Sequence, residues 1–177
     1  MRPETGEQMS VEDDIAGVAE QERRLVFKAF DEPAAREIGE TIRTLAEAAG
    51  VAIVIDVRFW DRQLYYYAMP GTSADNPDWV RRKSNCVRRY GRSSFSLMLR
   101  HESQGRGFQP HHNADPSEFA PHGGSFPIRI EGVGVIGSIS VSGAPSRRDH
   151  GLVVEAICRH LGVDHSSLAL PLEGFGG

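Results

Sequence analysis

The run His122-Gly123-Gly124-Ser125-Phe126-Pro127 limits the fold of this chain more than any other stretch of it. Two adjacent glycines ahead of a Phe-Pro strand mark backbone that approaches a neighbour closely or takes positive φ, which other residues reach only at a steric cost. Residues 126–131 and 133–141 read as two strands around Gly132, the second setting Val133, Val135, Ile139 and Val141 against Gly134, Gly137 and serines. Small residues at that density let a helix or a ligand sit close on one face of the sheet. Ser146-Arg147-Arg148-Asp149 reads as a loose capping box opening a final helix, with Leu152, Val153, Ala156, Ile157 and Leu161 along one face.

Upstream, periodicity predicts helix, hairpin, helix. Ala34, Ile38, Ile42, Leu45, Ala46 and Ala49 recur at helical spacing over residues 33–50, with Pro33 in the first turn and Gly50 placed to end the helix. Residues 52–59 alternate Ile53, Ile55, Val57 and Phe59 with Val54, Asp56 and Arg58, and after a turn at Trp60-Asp61 the aromatic run 63–69 returns as a hairpin. Asn76 reads as an N-cap with Pro77 at the first helical position of a helix on which Trp79, Val80, Lys83, Val87 and Tyr90 share a face until Gly91, Trp79 reading as core. Ser94 can cap a shorter helix through Leu99 and His101, and the polar residues 104–121 read as loop. The result is an α+β sandwich in the order αββα…ββα, with most helices on one face of antiparallel hairpins. The expected division is an acidic N-terminal tail over 1–24, partly helical or disordered, a single α+β domain over 25–165, and a C-terminal tail over 166–177.

A chain of 177 residues, 40% hydrophobic and 25% charged, can bury one full core. Its net charge of −4 hides an asymmetry. Up to Glu22, the acids Glu4, Glu7, Glu12, Asp13, Asp14, Glu20 and Glu22 face only Arg2, whereas Arg81, Arg82, Lys83, Arg88, Arg89 and Arg92 crowd one helix around Asp78. That helix is either a solvated face or a site for an anionic partner, and with no basic, aromatic-interleaved stripe beyond it nucleic acid is not expected. Cys86 and Cys158 belong to no CxxC or CxxH pair and read as buried free thiols. No apolar run approaches the ~20 residues of a membrane span, and the N-terminus lacks the basic and apolar regions of a signal peptide, so a cytoplasmic protein without membrane contact is expected.

No familiar catalytic device is encoded: the chain has no P-loop, GxSxG elbow or HExxH. The stretch from Gly132 to Gly137 superficially matches a dinucleotide fingerprint, but its third glycine comes one residue early and it lies inside a strand. His111 and His112 point to different sides of an extended chain with no third ligand at useful spacing, so no metal site is expected. What remains converges on one end of the sheet, where the loop before the Gly-Gly strand, the Arg82-Lys83 helix and the Asp149-His150 helix start can meet. Glycine-turn and helix N-terminal N–H groups favour an anion there, with Arg82 or Lys83 as counter-charge. The bland alternatives are that Asp149 only caps its helix, His150 bonds locally and Lys83 is a buried lysine paired with an acid. An enzyme using His122 or His150 as general acid–base beside Lys83 or Arg82 is a further reading.

These residues, with Pro70-Gly71-Thr72-Ser73, Asp75-Asn76, Trp79 and Ser93-Ser94, resemble the haem-degrading (GlcG/HbpS-like) domain family, in its branch of uncharacterised cytosolic proteins, over residues 30–161. The resemblance implies a profilin-like topology with a five-stranded antiparallel sheet, a homo-oligomer built from dimers, and haem as ligand. Haem needs an axial donor and partners for two propionates. His122, His150, Tyr65, Tyr67 and Met69 are the available donors. The candidate ligand-binding set is Arg82, Lys83, Ser94, His122, Gly123, Gly124, Asp149 and His150, with no catalytic residue singled out and a small anionic metabolite as the alternative ligand.

Overall fold

The computed structural model describes residues 10–105, 114–174 and 176. Along the chain run α1 (Val11–Arg24), α2 (Glu32–Ala49), β1 (Val54–Phe59), β2 (Gln63–Ala68), α3 (Asn76–Tyr90), α4 (Ser94–Ser103), β3 (Ser125–Ile130), β4 (Gly134–Ser142) and α5 (Ser146–Leu161), then one 3-10 turn at His165–Ser167. The strands form one antiparallel sheet in the order β2-β1-β4-β3. The α+β class stands, but among the described residues the sheet has four strands rather than five. Beside β3 the chain makes only an isolated parallel bridge, in which Phe27 N–H donates to Arg129 O at 2.8 Å and Glu131 N–H to Phe27 O at 2.9 Å. With α2 beginning at Glu32, the link out of α1 follows β3 no further.

Strand register gives the two faces different chemistry. Ile55, Val57, Phe126, Ile128, Ile139 and Val141 share one face, buried against Ile38 and Ile42 of α2 and Val153 and Ile157 of α5. The opposite face carries the buried Asp56, Ser125, Ser138 and Ser140 beneath α3. There the Ser84 and Ser138 hydroxyls lie 2.8 Å apart and those of Ser125 and Ser140 2.7 Å apart. Short paired hydroxyls let α3 lie close to β4, while an unpaired one would cost about 1–3 kcal/mol. Helices therefore cover both faces of the sheet instead of gathering on one.

Three helix starts differ from their sequence reading. At α3 the N-cap position falls to Asp75 rather than to Asn76, which is already helical, and no side chain caps it. Ser93, not Ser94, caps α4, its hydroxyl accepting from Ser96 N–H at 3.1 Å. At α5 the N-cap position falls to Pro145 (φ −55°, ψ 149°), Ser146 is already helical, and the Ser146-to-Asp149 capping box does not form. Pro145 sets the chain's entry one residue early, which frees the Asp149 carboxylate for the preceding loop.

Both chain ends are packed where they are described. Ser10 and Asp13 form a capping box at the start of α1, whose Val18, with Ile15, meets Phe95 and Leu99 of α4. Asp14 is buried and pairs bidentately with Arg147 of α5. Leu168 joins the main core, and Gly176 O accepts from Arg147 N–H at 2.7 Å. Cys86 and Cys158 are buried and free, and no described helix is long and apolar enough to cross a membrane.

Candidate functional site

Where β4 runs into α5, a cleft of about 320 Å³ is lined by Trp79 and Lys83 of α3, by His122 and by residues 142–146. The Lys83 side chain is 4% exposed, and its ammonium donates to Asp149 Oδ2 at 3.0 Å and to the Val141 carbonyl at 3.1 Å. Asp149, fully buried, accepts from Ala144 N–H at 3.1 Å through its other oxygen. An ammonium has three N–H groups, so two protein acceptors leave one for a ligand. Burial is the largest influence on both partners, pushing Lys83 down and Asp149 up against their mutual attraction. The charged pair and the neutral amine–acid pair are thereby brought closer in energy than they are in water.

The double glycine makes this arrangement possible. Gly124 has φ +131°, and a Cβ on it would fall 2.4 Å from Val141 O and 2.8 Å from Lys83 Nζ. A Cβ on Gly123 would meet Ser146 O at 2.0 Å. Any side chain at either position would press the backbone away from the start of α5.

His122 is exposed at the cleft's rim, its ring edge-on to Trp79 with centroids 5.2 Å apart. Partial burial first, then the positive charges of Lys83 and Arg82, hold its pKa below the ordinary histidine value, which keeps the imidazole neutral at pH 7. Trp79, expected in the core, is only partly buried and forms a wall of the cleft, tied by Nε1–H to Asp75 at 2.7 Å. Arg82 lies outside the lining, its guanidinium 4.2 Å from the Trp79 ring centroid and its Nε donating to Asp78 at 2.8 Å. The crowding of arginines on α3 is met locally: Arg81 shares Asp78 and reaches Glu118, and Arg88 lies over Trp60.

Besides Arg82, two more candidates are not brought to the cleft. The Ser94 hydroxyl accepts from Ser125 N–H at 3.0 Å and fastens α4 to β3. His150 is buried on another side of α5, where Nε2 meets Gln21 Oε1 at 2.7 Å and the ring lies against Phe95 and Phe126, at 4.8 and 6.0 Å. The Gln21 amide donates to Leu168 O, so His150 Nε2 carries the proton, and burial pushes the pKa down to about 3. Asp149 and His150 are adjacent in the chain, yet about 100° apart around a helix. A single pocket holding Lys83, His122 and His150 therefore does not form. The buried set Asp14, Gln21 and Arg147 went unread in the sequence. The spacing of Val11, Ile15 and Val18, an apolar helical stripe within the acidic segment, was the signal that α1 packs. Among the described residues no group of three or more His, Cys, Asp or Glu is placed to hold a metal ion, and His111 and His112 lie outside them.

An antiparallel sheet flanked by helices, with a buried amine and an imidazole lining one cleft, defines an α+β domain with a candidate ligand site. The chain belongs to the HbpS-like haem degrading protein family, whose model matches residues 30–158. It is 49% identical over 165 residues to a UPF0303 protein of Mesorhizobium japonicum, covering 93% of this chain and 99% of that one. Against a UPF0303 protein of Paraburkholderia phytofirmans the identity is 45%, over 92% and 98% of the two chains. Among solved structures, the Ybr137w protein superposes with a TM-score of 0.77 at 21% identity, covering 86% of this chain and 92% of that one. HbpS superposes at 0.60 and 17%, over 92% and 99%. The haem complex of PduOC gives 0.64 at 14%, over 73% and 94%.

Proposed function

We propose that this protein binds haem in the cleft between α3 and the start of α5, in the cytoplasm, as a homo-oligomer built from dimers. The observation that carries the reading is the family match over residues 30–158. The cleft residues fit the group's chemistry. His122, kept neutral at the rim, is the donor that would hold the iron, and the free N–H of Lys83 would meet a propionate. Of the other donors, Tyr65 bonds Glu40 at 2.8 Å, Tyr67 is exposed on β2, Met69 is buried in the core and His150 faces Gln21. Bound haem supplies one-electron and oxygen chemistry. The chain's own part is to orient the anionic edge through Lys83 and to keep water from one side of the ligand with Trp79.

Two features support the remaining parts of the reading. β2 is an edge strand without a charged residue over Gln63–Ala68, and its Tyr66 and Tyr67 are 43% and 38% exposed, a surface suited to a second subunit. Buried free thiols suit a reducing compartment. A second reading, a small anionic metabolite, is favoured by the buried ammonium facing so compact a cleft. Sedimentation velocity of the protein with haem, followed at the Soret band, tests the first reading. Soret absorbance should travel with a species heavier than the 19.5 kDa chain and dissociate in His122→Ala. Haem that sediments apart from the wild-type protein, or a protein that stays monomeric, overturns the corresponding part.

A further inference from the structure

Of the 20 lysines and arginines in this chain, only Lys28 and Lys83 are lysine. Lys28 is exposed. Where the fold buries a permanent cation it uses arginine, as in the Arg147–Asp14 pair. At the cleft it uses the one cationic side chain of the two that can shed its proton, since a guanidinium stays charged at any accessible pH. Lys83 also lines an open cleft rather than a sealed core, and its carboxylate partner is itself fixed by Ala144 N–H.

We propose that Lys83 is a carbonyl-reactive amine, and that the cleft takes a small 2-oxo acid and holds it as an imine on Nζ. The proposal names a ligand class for the second reading above and does not depend on haem. Asp149 Oδ2, 3.0 Å from Nζ, takes a proton from the ammonium. The freed nitrogen pair adds to the carbonyl carbon, and the C=O π pair moves to oxygen, which takes that proton from Asp149. Asp149 next accepts a proton from the nitrogen and delivers it to the new hydroxyl, which leaves as water as the nitrogen pair closes the C=N bond. The products are a protonated imine, a water molecule and the Asp149 carboxylate, with nothing oxidised or reduced. The ligand's own carboxylate would face the start of α5 at Ser146, where no side chain caps the helix. Burial, which lowers the Lys83 pKa, favours the neutral amine from which the reaction starts.

The test is to incubate the wild-type protein with pyruvate and cyanoborohydride near pH 7 and map the reduced adducts by peptide mass. Lys28 and the chain's α-amine are internal controls. Lys83 should be tagged about tenfold or more faster than Lys28, because the cleft holds the carbonyl beside an amine that already has its proton acceptor at 3.0 Å. The tag should be lost in Lys83→Met/Asp149→Asn, and acetone, which lacks the carboxylate, should tag Lys83 far more slowly. Tagging confined to Lys28 and the α-amine overturns the proposal. Equal tagging of Lys83 by pyruvate and acetone overturns its carboxylate part. Either failure leaves co-sedimentation of haem untouched, and loss of haem binding leaves the adduct at Lys83 standing.

Discussion

Asp149 and His150 are consecutive residues in the first turns of α5, both buried and both bonded to another element, yet they serve opposite environments. Asp149 is packed behind Lys83, a charge that lines the cleft and keeps an open N–H there for a ligand. His150 faces the packed junction of α1, α4 and α5, where its partner is a neutral amide, Gln21, and aromatic rings lie against it. The difference teaches how one helix start serves both binding and folding. A buried charge pair beside a cleft stays responsive to what enters, because a ligand's charge changes its balance. A buried neutral histidine within apolar rings is fixed, because charging it would require desolvating the charge with nothing to compensate.

The largest expected effect breaks the Asp149 side. Lys83→Met removes the cation that, among the described residues, pairs with the fully buried Asp149 carboxylate, and should destabilise the protein by about 3–5 kcal/mol, the scale for an uncompensated buried ion. Adding Asp149→Asn should recover most of that loss, since the amide oxygen can still accept from Ala144 N–H. Urea denaturation of the single and double variants measures both steps. A single variant within about 1 kcal/mol of wild type would mean that the pair is hydrated rather than buried.

The His150 side gives a smaller and pH-dependent effect. An unfolded histidine titrates near 6.5, while His150 in the fold titrates at about 3, so between those values the unfolded chain binds the extra proton. Its share of stability is therefore complete above about pH 6.5 and falls as pH drops toward 3, with a slope of up to about 1.4 kcal/mol per pH unit. His150→Phe should flatten that acid slope. At pH 7 the same variant should lose about 1–3 kcal/mol, because Gln21 Oε1 is left buried without a donor. Melting curves from pH 4 to 7 for wild type and variant decide it, and parallel pH profiles would move the acid sensitivity to another group.

How much of this was legible depended on whether the information was local. The hairpins, the apolar faces of α2 and α5, and the Gly123-Gly124 turn follow from periodicity and backbone sterics, and each is where the sequence put it. The convergence of Lys83, Gly124 and Asp149 was also readable, because the Gly-Gly turn leads into β3 and the helix start follows β4, and antiparallel pairing brings those two chain ends to the same open end of one hairpin. What failed was rotation. Placing His150 beside Asp149 treated neighbours in sequence as neighbours around a helix, and placing Trp79 in the core gave α3 one apolar face where it has a sheet side and a cleft side. The pairing of Asp14 with Arg147 spans 133 residues and carried no local mark at all. Nor did the seam of serines under α3, whose alternation looked like ordinary small-residue spacing until the register paired Ser125 with Ser140.

Arg82 sharpens the comparison at its weak end, because it is the cation next to Lys83 in sequence and the sequence assigned both to one role. Its side chain is 16% exposed and its carboxylate partner Asp78 46% exposed, so water screens the pair that the Lys83–Asp149 couple keeps dry. Arg82→Gln should therefore shift stability by only about 0.2–1 kcal/mol, part of it from lost packing on the Trp79 ring rather than from charge. Pyruvate tagging at Lys83 should proceed within about threefold of the wild-type rate, because the guanidinium stands behind the indole and outside the cleft lining, where solvent and salt screen it. If Arg82→Gln instead slowed tagging as severely as removal of Asp149, the anion would be held on the α3 surface, and the distinction between the dry cation and the wet one would collapse.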